Sequence, residues 1–129
     1  MPDEPVPESW RRIARRDWQR AHLLLNADDA PGASFHLQQA LEKFLKAYLL
    51  QSGWPLRKTH ELDRLLDATT AYAPALSVHR PLCERVSGYY MIERYPLSGI
   101  EGPDEPQVRS DLVEARSLIR ALFPDESLA

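Results

Sequence analysis

The sequence predicts an all-α domain, a five-helix bundle of up-and-down, antiparallel helices. Three observations lead there. Five segments carry apolar residues at helical spacing, proline or glycine breakers separate them, and no segment shows strict apolar–polar alternation bounded by hairpin turns. Short connections favour antiparallel neighbours, hence the up-and-down order.

The first helix is expected from Pro7 to Ala27, with Trp10, Ile13, Ala14, Trp18, Ala21, Leu24 and Leu25 on one apolar stripe. Residues 1–6, acidic and proline-rich, are expected to be flexible. This helix also holds the densest basic run, Arg11, Arg12, Arg15, Arg16 and Arg20. Its two readings are a solvated helix face and a strip that meets phosphate or a partner. Asp28-Asp29-Ala30-Pro31-Gly32 then reads as a breaker, since proline and glycine sit poorly inside a helix.

The second helix, from Ala33 to Ser52, has the strongest pattern, with Leu37, Ala40, Leu41, Phe44, Leu45 and Tyr48 facing the core. Glu42 and Lys46, four apart, read as a surface pair worth about 0.3 kcal/mol. Gln38 or Gln39 flanks the stripe and is expected to bond inside the bundle. Gly53 reads as the stop, with Pro55 beyond it. Thr59 reads as the N-cap of a third helix with Glu61 in its first turn and Leu62, Leu65 and Leu66 on its buried side. That helix closes near Tyr72, ahead of Ala73-Pro74.

Pro81 suits the first position of a fourth helix, which runs to Glu93 through Leu82, Val86, Tyr89, Tyr90 and Ile92. Gly88 weakens it by about 1 kcal/mol relative to alanine and reads as a mark of close backbone contact. Residues 97–103 form a loop after Pro96. Asp104 caps a fifth helix, whose Val108, Leu112, Ala115, Leu118, Ile119 and Leu122 keep a helical period up to Pro124.

Composition bounds the function. The 129 residues fit one domain, 1–129, and 43% of them are hydrophobic, enough for one core. No stretch approaches the roughly 20 apolar residues a bilayer span needs, and Met1-Pro2-Asp3-Glu4-Pro5 is no secretory signal. A single thiol, Cys83, makes no internal disulfide, so the reducing cytoplasm is the expected compartment. With a net charge of −3 the chain as a whole does not attract nucleic acid. His22, His36, His60 and His79 lie on different segments without metal-ligand spacing, and the five glycines make no phosphate loop. Neither a metal nor a cofactor is expected.

Three runs are distinctive: Leu37-Gln38-Gln39-Ala40-Leu41-Glu42-Lys43-Phe44-Leu45-Lys46-Ala47, then Lys58-Thr59-His60-Glu61-Leu62, then Tyr89-Tyr90 followed by Glu93-Arg94-Tyr95-Pro96. In this order and spacing they resemble the HEPN domain family. The resemblance implies a bundle of about five helices that dimerises through a large shared face. It also implies one of two functional branches. One contains metal-independent ribonucleases marked by Arg-x4-6-His on the fourth helix. The other partners a minimal nucleotidyltransferase, often as a two-gene toxin–antitoxin system, and binds nucleotides. Arg85 and Arg94 have no histidine at that spacing; only Arg15 and Arg16 with His22 match it, and they lie on the first helix.

The candidate phosphate contacts are Arg57, Lys58, Thr59, His60, Arg94 and Tyr95, with the amides of residues 59–61 completing an anion cradle; the other reading is that Thr59 and His60 fix the start of the third helix. Arg94 is also a candidate ion-pair partner of Glu42 or of another bundle carboxylate. Tyr89 and Tyr90 are candidates for base stacking or for the dimer interface. The leading expectation is a homodimeric subunit that binds nucleotide or RNA phosphate beside a nucleotidyltransferase partner. A ribonuclease with a non-standard site and a non-catalytic dimerisation module are the alternatives.

Overall fold

A computed structural model describes residues 6–55, 58–94 and 102–128. Five α-helices follow one another: α1 (Pro7–Asn26), α2 (Ala30–Gln51), α3 (Leu62–Thr70), α4 (Arg80–Arg94) and α5 (Glu105–Leu122). A 3₁₀ helix, Pro74–His79, joins α3 to α4, and no strand occurs among the described residues. The fold is thus the all-α bundle that the periodicity predicts.

Helix α2 is the central element and packs against α1, α3, α4 and α5. Its near-continuous apolar surface explains the position, because a helix apolar on most sides must be covered on most sides. Leu37, Leu41, Phe44, Leu45 and Leu49 are fully buried there, against Trp18 of α1, Leu62, Leu65 and Leu66 of α3, Leu82 of α4, and Leu118 and Ile119 of α5. Each such side chain contributes about 1.5–3 kcal/mol by leaving water. Ile13, read as part of the α1 stripe, is 40% exposed and lies outside this core.

The helix starts depart from the sequence reading in two places. The segment read as a breaker before α2 is its first turn. Asp28 takes a left-handed φ of 62°, which turns the chain, and Asp29 caps α2 by accepting from the Gly32 amide at 2.9 Å. Pro31 is harmless so early, where its missing amide has no intrahelical partner. A Cβ at Gly32 would run into the Asp29 carboxylate, which would have to shift out of its capping position.

Thr59 does not cap α3. Its hydroxyl accepts from the Glu61 amide at 3.2 Å, one step ahead of the helix, and Glu61 occupies the N-cap position without a side-chain cap. The capping role passes to a neighbouring helix: the Leu62 amide donates to Ser87 Oγ of α4 at 3.2 Å. Gly88, in turn, marks no close backbone contact, because a Cβ there would meet nothing within 4 Å. By contrast Asp104 caps α5 as read, accepting from the Gln107 amide at 3.0 Å.

The basic run of α1 divides. Arg11 and Arg15 converge on Glu126, which is only 6% exposed, at 3.1 and 2.8 Å, and so tie residues 124–128 across α1. Arg12, Arg16 and Arg20 are exposed.

Candidate functional site

On α2, Gln38, Glu42 and Lys46 stand at successive four-residue steps, one position round from the apolar row of Leu37, Leu41 and Leu45. That register carries them into the interior: Gln38 is fully buried and Glu42 and Lys46 are each 5% exposed. The Glu42–Lys46 pair read as a surface pair is therefore a buried one. Lys46 donates to Glu42 Oε2 at 2.9 Å, and its ammonium lies 5.7 Å from the Trp10 ring centroid. Gln38 Nε2 donates to Glu42 Oε1 at 3.1 Å.

The remaining partner of Glu42 is His60, whose Nδ1 lies 2.8 Å from Oε1. A carboxylate only accepts, so Nδ1 carries the proton and the Nε2 edge is left for other contacts. Gln38 Nε2 also donates to the His60 carbonyl at 3.1 Å, which holds the main chain as well as the ring. The imidazole stacks on Tyr90 of α4 with centroids 4.6 Å apart and planes 14° from parallel. Tyr90 in turn lies against Phe35 of α2, centroids 6.0 Å apart. His60 is thus half-exposed yet fixed by a buried carboxylate, a buried amide and an aromatic face.

This ring lines a hollow of about 570 Å³ between the 58–63 segment and α4, which Lys58, Thr59, Ser87, Gly88 and Tyr90 also border. Its volume falls within the range of about 300–1,000 Å³ usual for ligand pockets. Three carboxylates stand at its edge: Glu61, Asp63 and Glu84. Glu61 pairs with Arg64 at 2.6 Å and Glu84 pairs with Arg80, so two of the three are offset locally. Lys58 and Thr59 also border an adjoining hollow of about 610 Å³ with Trp54 and Arg64, where the charged side chains are basic.

Of the candidate contacts read from sequence, the fold brings Lys58, Thr59, His60 and Tyr90 together at one hollow. Tyr89 is placed elsewhere. It is 6% exposed, faces the core, and donates from its hydroxyl to Asp111 Oδ2 at 2.5 Å. Arg57 and Tyr95 lie outside the described residues, as does the side chain of Arg94, so the described partners of Glu42 are Gln38, Lys46 and His60. The cradle of free amides read at 59–61 is altered, because the Glu61 amide is bonded to Thr59 and the helix begins only at Leu62.

Sequence reasoning missed Glu42 as the organiser of the site, Ser87 as the cap of α3, and Asp111. The signal for Glu42 was its position between Gln38 and Lys46 beside the apolar row. Asp111, fully buried on α5, accepts from Arg85 at 2.8 and 3.0 Å, from Gln107 at 2.9 Å and from Tyr89. Burial and this carboxylate push the Tyr89 phenol well above its ordinary range. Cys83 is buried, and burial raises its thiol to about 12, so it is no nucleophile at neutral pH. No group of three His, Cys, Asp or Glu residues that could hold a metal occurs among the described residues. No helix among them is long and apolar enough to cross a membrane.

A model of the HEPN domain family matches residues 7–123. The crystal structure of TT1696 from Thermus thermophilus superposes with a TM-score of 0.81 at 23% identity, over 92% of this chain and 96% of that one. At that identity the likeness speaks for the fold alone. No curated protein matches the sequence.

Proposed function

The chain belongs to the HEPN domain family, and on that footing we propose that it is a homodimeric subunit which takes a nucleotide, free or within RNA, beside His60 and serves a minimal nucleotidyltransferase in a toxin–antitoxin-like module. The observation that supports this most is the fixed imidazole. A half-exposed histidine held through Nδ1 by a buried carboxylate and stacked on a tyrosine costs no further ordering when a ligand arrives.

Charge orients the ligand. Phosphate favours the Lys58 end, where Arg64 is the next cation, and is repelled by Asp63, and less by the arginine-paired Glu61 and Glu84. The same carboxylates accept hydrogen bonds from ribose hydroxyls and exocyclic amines, so sugar and base face the His60 hollow. Arg57, Arg94 and Tyr95 complete the set of proposed contacts.

Calorimetric titration with AMP, ATP and a short single-stranded RNA tests the reading. Binding is expected in the wild type and is expected to weaken about tenfold in Lys58→Ala and in His60→Ala, each of which removes one charged or polar contact. Absence of heat with all three ligands would end the proposal. Light scattering should give a mass twice the 14.8 kDa of one chain.

The carboxylate-held imidazole favours one second reading, a ribonuclease in which His60 takes a proton through Nε2. RNA left intact over hours by the purified protein excludes it. Cleavage lost in His60→Ala would place it ahead of simple binding.

A further inference from the structure

Helices α1 and α5 border a separate, smaller cleft that shares no residue with the His60 hollow. It holds about 220 Å³ and is lined by His22, Leu25, Arg109, Leu112, Val113 and Arg116. This lies below the range of about 300–1,000 Å³ for pockets that take whole nucleotides or drug-sized molecules. A compact ion fits it better.

Two buried nitrogens at this place lack a hydrogen-bond partner among the described residues: His22 Nε2 and Trp18 Nε1. They belong to rings in edge contact, centroids 4.9 Å apart. A buried polar nitrogen left unpaired costs about 1–3 kcal/mol, so a folded chain seldom keeps two side by side. Around them stand two guanidinium groups with donors to spare. Arg116 lies 5.4 Å from the Trp18 ring centroid and gives Nη1 to the Leu128 carbonyl at 2.7 Å. Arg109 gives Nε and Nη2 to Glu105 Oε1 at 3.1 and 2.7 Å, which leaves Nη1. Each guanidinium has five N–H donors in all.

The field at the cleft is positive. Burial, then Arg116 and Arg109, press the His22 imidazole below its ordinary value, so it is neutral and keeps one N–H. Glu105, the carboxylate that Arg109 grips, is exposed and itself spread over the Arg109 fork. The apolar walls, Leu25, Leu112 and Val113, strengthen any charge interaction made between them.

We propose that this cleft is an anion site, in which Arg109 and Arg116 hold a compact oxyanion of the phosphate class and the His22 ring turns its Nε2–H toward it. The group arrives either as a free ion or nucleotide phosphate, or as one phosphate of an RNA backbone; the chemistry is the same.

Nuclear magnetic resonance of the wild-type chain tests it directly. The Trp18 indole N–H and the His22 ring nitrogens are followed during titration with inorganic phosphate, with sodium chloride balancing the ionic strength. Both signals are expected to move and to saturate together. In Arg109→Ala, which alters an exposed side chain, the apparent dissociation constant should rise about tenfold, the effect of one lost charge-assisted hydrogen bond. His60→Ala should leave the titration unchanged, which separates this site from the one proposed above. AMP binding as well as phosphate, with RNA no tighter, marks a free-ion source, whereas RNA binding more tightly than either marks a backbone phosphate. The proposal is overturned if chloride alone reproduces the shifts, if they fail to saturate, or if Arg109→Ala leaves them as they were.

Discussion

Replacing Glu42 with glutamine preserves the shape of the α2 core and removes the negative charge that Lys46 and His60 share. Lys46 is 5% exposed, so its ammonium is left largely dry. Breaking a buried ion pair from one side costs about 3–5 kcal/mol. Glutamine still offers one acceptor oxygen, which places Glu42→Gln near the lower end, about 3 kcal/mol. Against a total domain stability of about 5–15 kcal/mol this is a large fraction, and it corresponds to a fall in Tm on the order of 10 °C. Urea unfolding followed by circular dichroism reads the loss, and the midpoint should fall with the slope unchanged. The double variant Glu42→Leu/Lys46→Met removes both charges and should recover most of the stability, since apolar side chains of similar volume replace a buried pair well. It should not recover ligand binding, because the His60 ring loses the carboxylate that fixes it. A loss below about 1 kcal/mol in Glu42→Gln, the scale of an exposed pair, would refute the reasoning. A double variant no more stable than the single one would do the same.

Asp111→Asn should cost about 3 kcal/mol by leaving Arg85 and Tyr89 without their buried carboxylate, and a urea midpoint within error of the wild type would contradict this. Cys83 should react with Ellman's reagent only as fast as the native state opens. Its pKa is raised on folding from 9.0 to about 12, so its contribution to stability is complete below pH 9 and is lost as pH rises toward 12. Urea midpoints of the wild type and of Cys83→Ser should therefore converge between about pH 8 and 11, and parallel curves would count against it. Tyr89, also raised, adds an alkaline loss common to both chains, which the difference removes.

Helix existence was legible because it rests on apolar spacing, which every helix here obeys. Helix starts were less so, for a physical reason in each case. Asp28 through Gly32 carries the residues of a breaker and of a first turn alike, and only the left-handed Asp28 and the Asp29 cap decide between them. At Thr59 the local cap signal was real, but a hydroxyl from another helix, Ser87, takes the amide of Leu62, and no local pattern announces a tertiary cap. The short 3₁₀ helix from Pro74 to His79 has too few residues to show a period. For the candidate site, residue types singled out the segment around His60, and the fold sets it beside a hollow. Its organiser was not legible, because an i, i+4 Glu–Lys pair reads the same whether its face is wet or buried, and this one is buried, with Trp10 of α1 and His60 as its tertiary neighbours. The charges buried at Asp17, Asp111 and Glu126 escape a sequence reading for the same reason.

The clasp of Arg11 and Arg15 on Glu126 has a consequence in time as well as in space. Its bonds join residues 115 and 111 positions apart, nearly the longest separations the chain allows. Helices α1 and α2, consecutive and in broad contact, can pair after closing only a short loop, whereas the clasp must wait for the whole chain to be gathered. It should therefore form late, after α1 and α2 have paired. Interactions of that kind leave the folding rate nearly untouched and slow unfolding instead, so residues 124–128 act as a latch on how long the native state lasts rather than on how quickly it forms.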